Sequence, residues 1–181
     1  MELQEGSKIK GIIGPHAGFY FSGPTAAWAY INFLQHNSYK RVFLLGPSHK
    51  AYLNGCALTR SLSYETPLGN LEIDHETTKQ LHEQGGYVYM SKQVDENEHS
   101  LEMHLPYIKK VLPDVKLVPI MVGSLSAEQE KEFGEKLAKY MGDDQNLFVV
   151  SSDFCHWGAN FDYYPHEKPL EVWQSVEKLD R

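Results

Sequence analysis

The chain is predicted to adopt an α/β fold, with a central, mostly parallel or mixed sheet flanked by helices. Three observations point there. Short apolar runs of strand type alternate with segments of helical period, the pattern of layered α/β domains. Three of these runs, in "IKGIIGPHAGF", "RVFLLGPSHK" and "NLFVVSSDFCHWG", pass without a spacer into polar turns, as buried strands do when they end at a site. Finally, 181 residues with 41% hydrophobic and 23% charged side chains suit one domain with a core of its own. No repeat, low-complexity tract or linker divides the chain, so residues 1–181 are read as a single domain.

Taken in order, Lys8–Gly14 reads as a strand, apolar at Ile9, Ile12 and Ile13. Gly23–Leu34 reads as a helix because Ala26, Ala27, Tyr30 and Leu34 fall near a 3.6-residue period. Arg41–Leu45 is almost continuously apolar, as a strand covered on both faces is. Cys56–Tyr64 reads as a further strand, and Thr66–Asn70 as a turn. Asp74–Gln84 is helical, with Asp74 as N-cap and Gly85-Gly86 as its stop. Tyr87–Met90 is a short strand. His99–Leu112 is helical but contains Pro106, which kinks the helix or delays its start. Lys116–Val122 is a strand, and Ser126–Met141 a helix opened by the capping box "SAEQ". Leu147–Ser151 is the next strand and Glu167–Leu179 a surface helix.

Charge and composition exclude several function classes. The formal charge of −7, without any block rich in Lys and Arg, argues against nucleic acid as a partner. No apolar run approaches the roughly 20 residues of a membrane span. The start, "MELQEGSKIKG", has no signal-peptide core. Cys56 and Cys155 make no disulfide framework, so a cytoplasmic or nuclear setting is expected, with Cys56 in the core and Cys155 buried and inert.

The three polar turns each carry a histidine: His16, His49 and His156. Ligands of open α/β sheets bind outside the carboxyl ends of the strands, so three imidazoles delivered to one edge can share a crevice. Imidazole is both the commonest metal ligand and the natural acid–base group at neutral pH. "GPHAG" and "GPSHK" share a Gly-Pro start, which favours sharp, rigid presentation. In "SSDFCHWG", Asp153 can pair with His156 and hold its tautomer. In "DENEHSLEMHLPY", His99 and Glu102 lie about 60° apart on a helix and His104 about 140° from His99, so at most one of the two histidines faces the sheet edge unless Pro106 breaks the helix first. His104 is read as a polar group of the pocket, Glu102 as balanced between surface and site. Asp95, Glu96 and Glu98 are read as acids suited to a helix N-terminus. His36, His75, His82 and His166 lie among polar neighbours and receive no role.

"PHAGFYFSG", "LLGPSHK", "ENEHSLEMHLPY" and "NLFVVSSDFCHWG", in this order, strongly resemble the Memo family (mediator of ErbB2-driven cell motility) over nearly the whole chain. That family in turn resembles the LigB-type, class III extradiol dioxygenases, non-haem iron enzymes of α/β fold. The resemblance implies that His16 and His49 are metal ligands, for iron or copper. It implies an acid–base role for His156 with Asp153 beside it, and a pocket position for His104. The family's third ligand, a cysteine (a glutamate in the dioxygenases), falls beyond the end of this chain, and neither Cys56 nor Cys155 matches it. The chain is therefore expected to be an incomplete Memo-like domain, shortened at both ends and mainly at the C-terminus. Two imidazoles alone hold iron or copper more weakly than a three-ligand site. An uncovered flank is also expected, which a second copy in a homo-oligomer would bury.

Three functions compete. The first is a metal-dependent redox protein of dioxygenase-like type, acting in signalling and cell motility, with oxygen or a small catechol-like aromatic as substrate. The second is a non-enzymatic adaptor that holds phosphotyrosine receptor peptides in the same crevice, although no Arg cluster of the usual kind is present. The third, ranked last, is a zinc hydrolase.

Overall fold

The computed structural model describes residues 8–34 and 38–181; His36 lies outside them. The first strand, β1 (Gly11–Gly14), leads into α1 (Phe19–Tyr30) and a single 3-10 turn at Ile31–Phe33. Then come β2 (Arg41–Pro47), β3 (Cys56–Leu58), β4 (Ser63–Tyr64), β5 (Leu71–Glu72), α2 (His75–Glu83) and β6 (Tyr87–Tyr89). Three short helices follow: α3 (Lys92–Asn97), α4 (His99–Glu102) and α5 (Leu105–Val111). The chain continues through β7 (Lys116–Val122), α6 (Ala127–Met141), β8 (Asn146–Ser151) and α7 (Val172–Asp180). No helix among the described residues is long and apolar enough to cross a membrane.

Six strands form one sheet in the order β1-β8-β2-β7-β3-β6, and β4 pairs with β5 in a separate hairpin. β1, β8, β2 and β7 are mutually parallel; β3 runs antiparallel to β7, and β6 parallel to β3. The sheet is mixed but mostly parallel, as the sequence predicts. The two-residue alternation of each strand sorts the core into two layers. Val42, Leu44, Leu117, Leu147 and Val149 face α1, α4 and α5 through Ala26, Tyr30, Leu101 and Ile108. Phe43, Val118, Ile120 and Phe148 face the opposite side, against Leu81 of α2 and Phe133 of α6.

Where the elements differ from expectation, local chemistry explains it. β1 pairs with β8 only from Gly11 onward. α1 starts at Phe19, four residues before the predicted Gly23, because Gly18 carbonyl accepts from the Phe21 and Ser22 backbones and Pro24 is absorbed within the early turns. The predicted strand Cys56–Tyr64 divides in two. Thr59 Oγ1 and Ser61 Oγ donate to Asp95 Oδ2, at 2.5 and 3.1 Å, and Tyr64 donates to Oδ1. These bonds pull the middle of the segment off the sheet and onto α3, a helix the sequence reading does not contain. His99–Leu112 is two helices, with Pro106 seated in the first turn of the second, where its missing N–H is harmless. The last helix begins at Val172 rather than Glu167, behind a Glu171–Gln174 capping box. Asp74 caps α2 by accepting from the Thr77 backbone, and Ser126 and Gln129 form the predicted capping box of α6.

A three-histidine centre at the carboxyl edge of the sheet

β1, β8 and β2 are adjacent and parallel, so their carboxyl ends open on one edge. Two residues past those ends stand His16, Asp153 and His49 respectively. His99 is brought to the same edge from above, as the first residue of α4. The His16 ring lies 5.1 Å from that of His49 and 5.5 Å from that of His99, and His49 and His99 are 4.4 Å apart. One nitrogen from each of the three falls within 4.8 Å of the others. His16 is buried, His99 partly buried, and His49 exposed at the mouth.

Close backbone packing brings α4 to this edge. Gly46 in β2 lies so near α4 that a Cβ would stand 2.7 Å from Ser100 Oγ and 2.9 Å from Leu101 Cδ2. At Gly14 a Cβ would stand 3.0 Å from Cε1 of His104. Neither glycine takes a left-handed conformation. What they supply is the absence of a side chain where helix and strand meet.

Hydrogen bonds set which nitrogen each histidine presents. Ser151 Oγ donates to the Ser100 carbonyl at 2.7 Å, so its oxygen accepts from His16 Nδ1, 2.6 Å away. His16 therefore carries its proton on Nδ1 and leaves Nε2 with a free lone pair. Glu98, 2% exposed, accepts from the backbone and Nδ1 of His49 at 2.6 and 2.8 Å and from the Ser100 backbone at 3.0 Å. His49 likewise presents Nε2. Such carboxylate and hydroxyl partners hold imidazole ligands in orientation at metal sites. Glu98 also lies 3.4 Å from Nδ1 of His99. Asp153 Oδ1 accepts from the backbones of His16 and Ala17 at 2.6 and 3.1 Å, while Oδ2 stands 3.8 Å from His16 Nε2.

The electrostatics suit a cation. Burial lowers the pKa of His16, with Asp153 pulling the other way and His49 and His99 adding to the depression, so its lone pair is available at neutral pH. Burial alone would raise Glu98, but the backbone donors of His49 and Ser100 and the His49 ring outweigh it and hold the carboxyl down at about 2. His104 is fully buried beside the site, with Nδ1 2.7 Å from the Tyr30 hydroxyl. Burial, then His16, lowers it to about 4, against smaller opposing effects from Asp153 and the Gly14 backbone.

Of the residues singled out from sequence, His16, His49 and Asp153 meet at this edge, and His104 lies beneath it. His156 is exposed, with its ring 4.8 Å from Phe161, and is not one of the three converging imidazoles. Phe154, directly after Asp153, takes a left-handed backbone, φ 56°. The Asp153 carboxylate is engaged by the backbones of His16 and Ala17. Cys56 is buried, its thiol pushed up to about 12 by desolvation. Cys155 is half-buried, its backbone donating to Asp180. The sequence reading weighed the helical position of His99 without making it a ligand, left out Ser100 and Ser151, and took Glu98 only as an acid at a helix start. Glu98 does cap α4, and the one signal available was the acid–histidine pair standing at that cap.

The Memo-like protein family model matches residues 1–181. Protein MEMO1 of Homo sapiens and of Xenopus laevis are each 46% identical to the chain over 177 residues, covering 95% of the chain and 59% of the relative. Protein memo-1 homolog of Caenorhabditis elegans is 40% identical over 176 residues, covering 95% and 50%. The chain thus spans well under two thirds of the length of these relatives. With a match over its full length and an α/β sheet of the expected kind, the chain belongs to the Memo-like protein family.

Proposed function

We propose that this chain carries the histidine centre of a metal-dependent redox protein, with iron or copper held by His16, His49 and His99. The observation that carries the reading is the convergence of three imidazoles, two of which have Nδ1 committed to a hydrogen bond and Nε2 free. The donor set fits such an ion: imidazole suits iron, copper and zinc alike, and the family resemblance selects the redox metals. The third imidazole stands in addition to the two ligands the resemblance implies. A bound iron or copper ion would supply one-electron redox change and an electrophilic centre for oxygen or a catechol-like aromatic. The protein's own residues do the rest. Glu98 and Ser151 orient the rings, Asp153 shapes the His16 turn, and the neutral, buried His104 keeps the inner wall uncharged. His156, exposed on the loop after Asp153, is the group this reading assigns to proton exchange with substrate.

The adaptor reading, a phosphotyrosine peptide in the same crevice, is less well supported. Glu98 and Asp153 press carboxylates against the imidazoles, an arrangement that attracts a cation and repels a phosphate dianion. Metal analysis after loading with iron(II) or copper(II) tests the proposal. Wild type retains one equivalent per chain, and His16→Ala, His49→Ala and His99→Ala each lose it; equal content in all four removes the reading. Titration with a phosphotyrosine peptide and its unphosphorylated twin checks the adaptor, which identical affinities eliminate.

A further inference from the structure

Tyr30 and His104 form a buried pair whose hydrogen bond the metal reading leaves unused. Tyr30 closes α1 and is 1% exposed; His104 is 0% exposed; Oη and Nδ1 are 2.7 Å apart. Hydrogen counting gives the direction of the bond. If Nδ1–H donated to the phenol, both the Tyr30 O–H and the Nε2 lone pair would be left without partners. If Tyr30 donates, the only orphan is Nε2–H, which has no hydrogen-bond partner among the described residues in either case, so one group is left unpaired in place of two. The Gly14 backbone favours a proton on this ring, although no bond of ordinary geometry reaches Nε2 among the described residues. So Tyr30 gives its proton to a neutral, buried base.

The surroundings connect this pair in two directions. Inward, the His104 ring lies against Gly14, two residues before His16 on the same strand end. Outward, the Tyr107 ring stacks on Tyr30, with centroids 5.0 Å and planes 12° apart, and Phe19 meets Tyr107 edge-on at 6.0 Å. Tyr107 is half-buried and Phe19 exposed, so a chain of ring contacts runs from His104 through Tyr30 and Tyr107 to the surface.

We propose that Tyr30 and His104 act as a one-electron relay, in which Tyr30 is oxidised to a neutral tyrosyl radical while its proton crosses to His104. The inference rests on the redox reading of the three-histidine centre. An iron or copper ion held at that centre in its higher oxidation state would serve as the one-electron oxidant, taking one electron from Tyr30. In the same step the phenolic O–H bond breaks and an N–H bond forms at Nδ1, leaving phenoxyl and imidazolium. An ene-diol reductant reaching the Tyr107 end would return the electron and become its own one-electron-oxidised radical, and the proton moves back from Nδ1 to oxygen. The hydrogen bond spares the site a tyrosine radical cation. Burial keeps water and scavengers from the radical.

The test uses the metal-free chain, so its outcome is independent of metal binding. Photogenerated ruthenium(III) tris(bipyridine) serves as oxidant, and the frozen product is read by electron paramagnetic resonance. Wild type is expected to give a tyrosyl signal that outlives those of exposed tyrosines such as Tyr20 and Tyr52, with hyperfine coupling to one exchangeable proton that vanishes in deuterium oxide. Tyr30→Phe loses the long-lived signal, and His104→Gln loses the exchangeable coupling, with folding of each checked by circular dichroism. A long-lived signal undiminished in folded Tyr30→Phe overturns the proposal. So does its absence from wild type, a result that needs no variant to fold. If the chain binds no iron or copper but the long-lived radical forms, the metal reading fails while the pair's redox competence stands.

Discussion

Glu98 accepts three hydrogen bonds with two oxygens, and every donor belongs to the site or to the helix that delivers it. A carboxamide has one accepting oxygen and turns an NH2 group toward the remaining donors. Glu98→Gln should therefore weaken iron or copper binding about 10–100-fold, the usual cost of losing an orienting partner. Competition against a chelator of known affinity measures it. Titration makes a second prediction at this scale. Glu98 has its carboxyl depressed to about 2, so its stabilisation is complete above the ordinary value of 4.5 and is lost as pH falls toward 2. His104 is a base depressed to about 4, so the unfolded chain takes up its proton first. That contribution is complete above 6.5 and fades as pH falls through 4. Thermal melts should show Tm declining in two acid windows, the upper one partly flattened in His104→Gln. His16, lowered in the same direction by burial, adds to the decline below 6.5.

At the scale of elements, the site depends on α4 being pressed against β2. Gly46→Ala places a methyl group 2.7 Å from Ser100 Oγ, and one of the two must move. The expected loss is about 1–3 kcal/mol in urea unfolding, as for overpacked cores. Metal retention should fall with it, because His99 travels with α4; unchanged retention would show that His99 is not a ligand. The elements that could be read from sequence had local causes. β7 and α6 carry an apolar run and a capping box, whose signals need no distant partner. α3 and the split of Cys56–Tyr64 could not be read, because Asp95 draws in Thr59, Ser61 and Tyr64 from more than thirty residues away.

For the molecule as a whole, a ligand that binds only the folded chain stabilises it by mass action. Iron or copper at 100 times its dissociation constant contributes about 2.7 kcal/mol. For a chain of this size that is a Tm rise of roughly 5–10 °C. Differential scanning calorimetry should show the rise in wild type, its reversal by chelator, and no response in His16→Ala. The joining of α4, β1, β2 and β8 at one edge makes this a property of the whole fold, since the donors span residues 16 to 99 and their orienting partners reach Ser151.

By itself the sequence determined the α/β class, the parallel core strands and the histidines that follow β1 and β2. Period, composition and turn chemistry are local properties, legible along the chain. Only the tertiary structure decided that His99 joins them, that Asp153 serves His16 rather than His156, and that Glu98 orients a ring. These contacts rest on approaches of a few ångströms between segments far apart in the chain, as where side chains are absent at Gly14 and Gly46. No spacing in one dimension encodes such contacts.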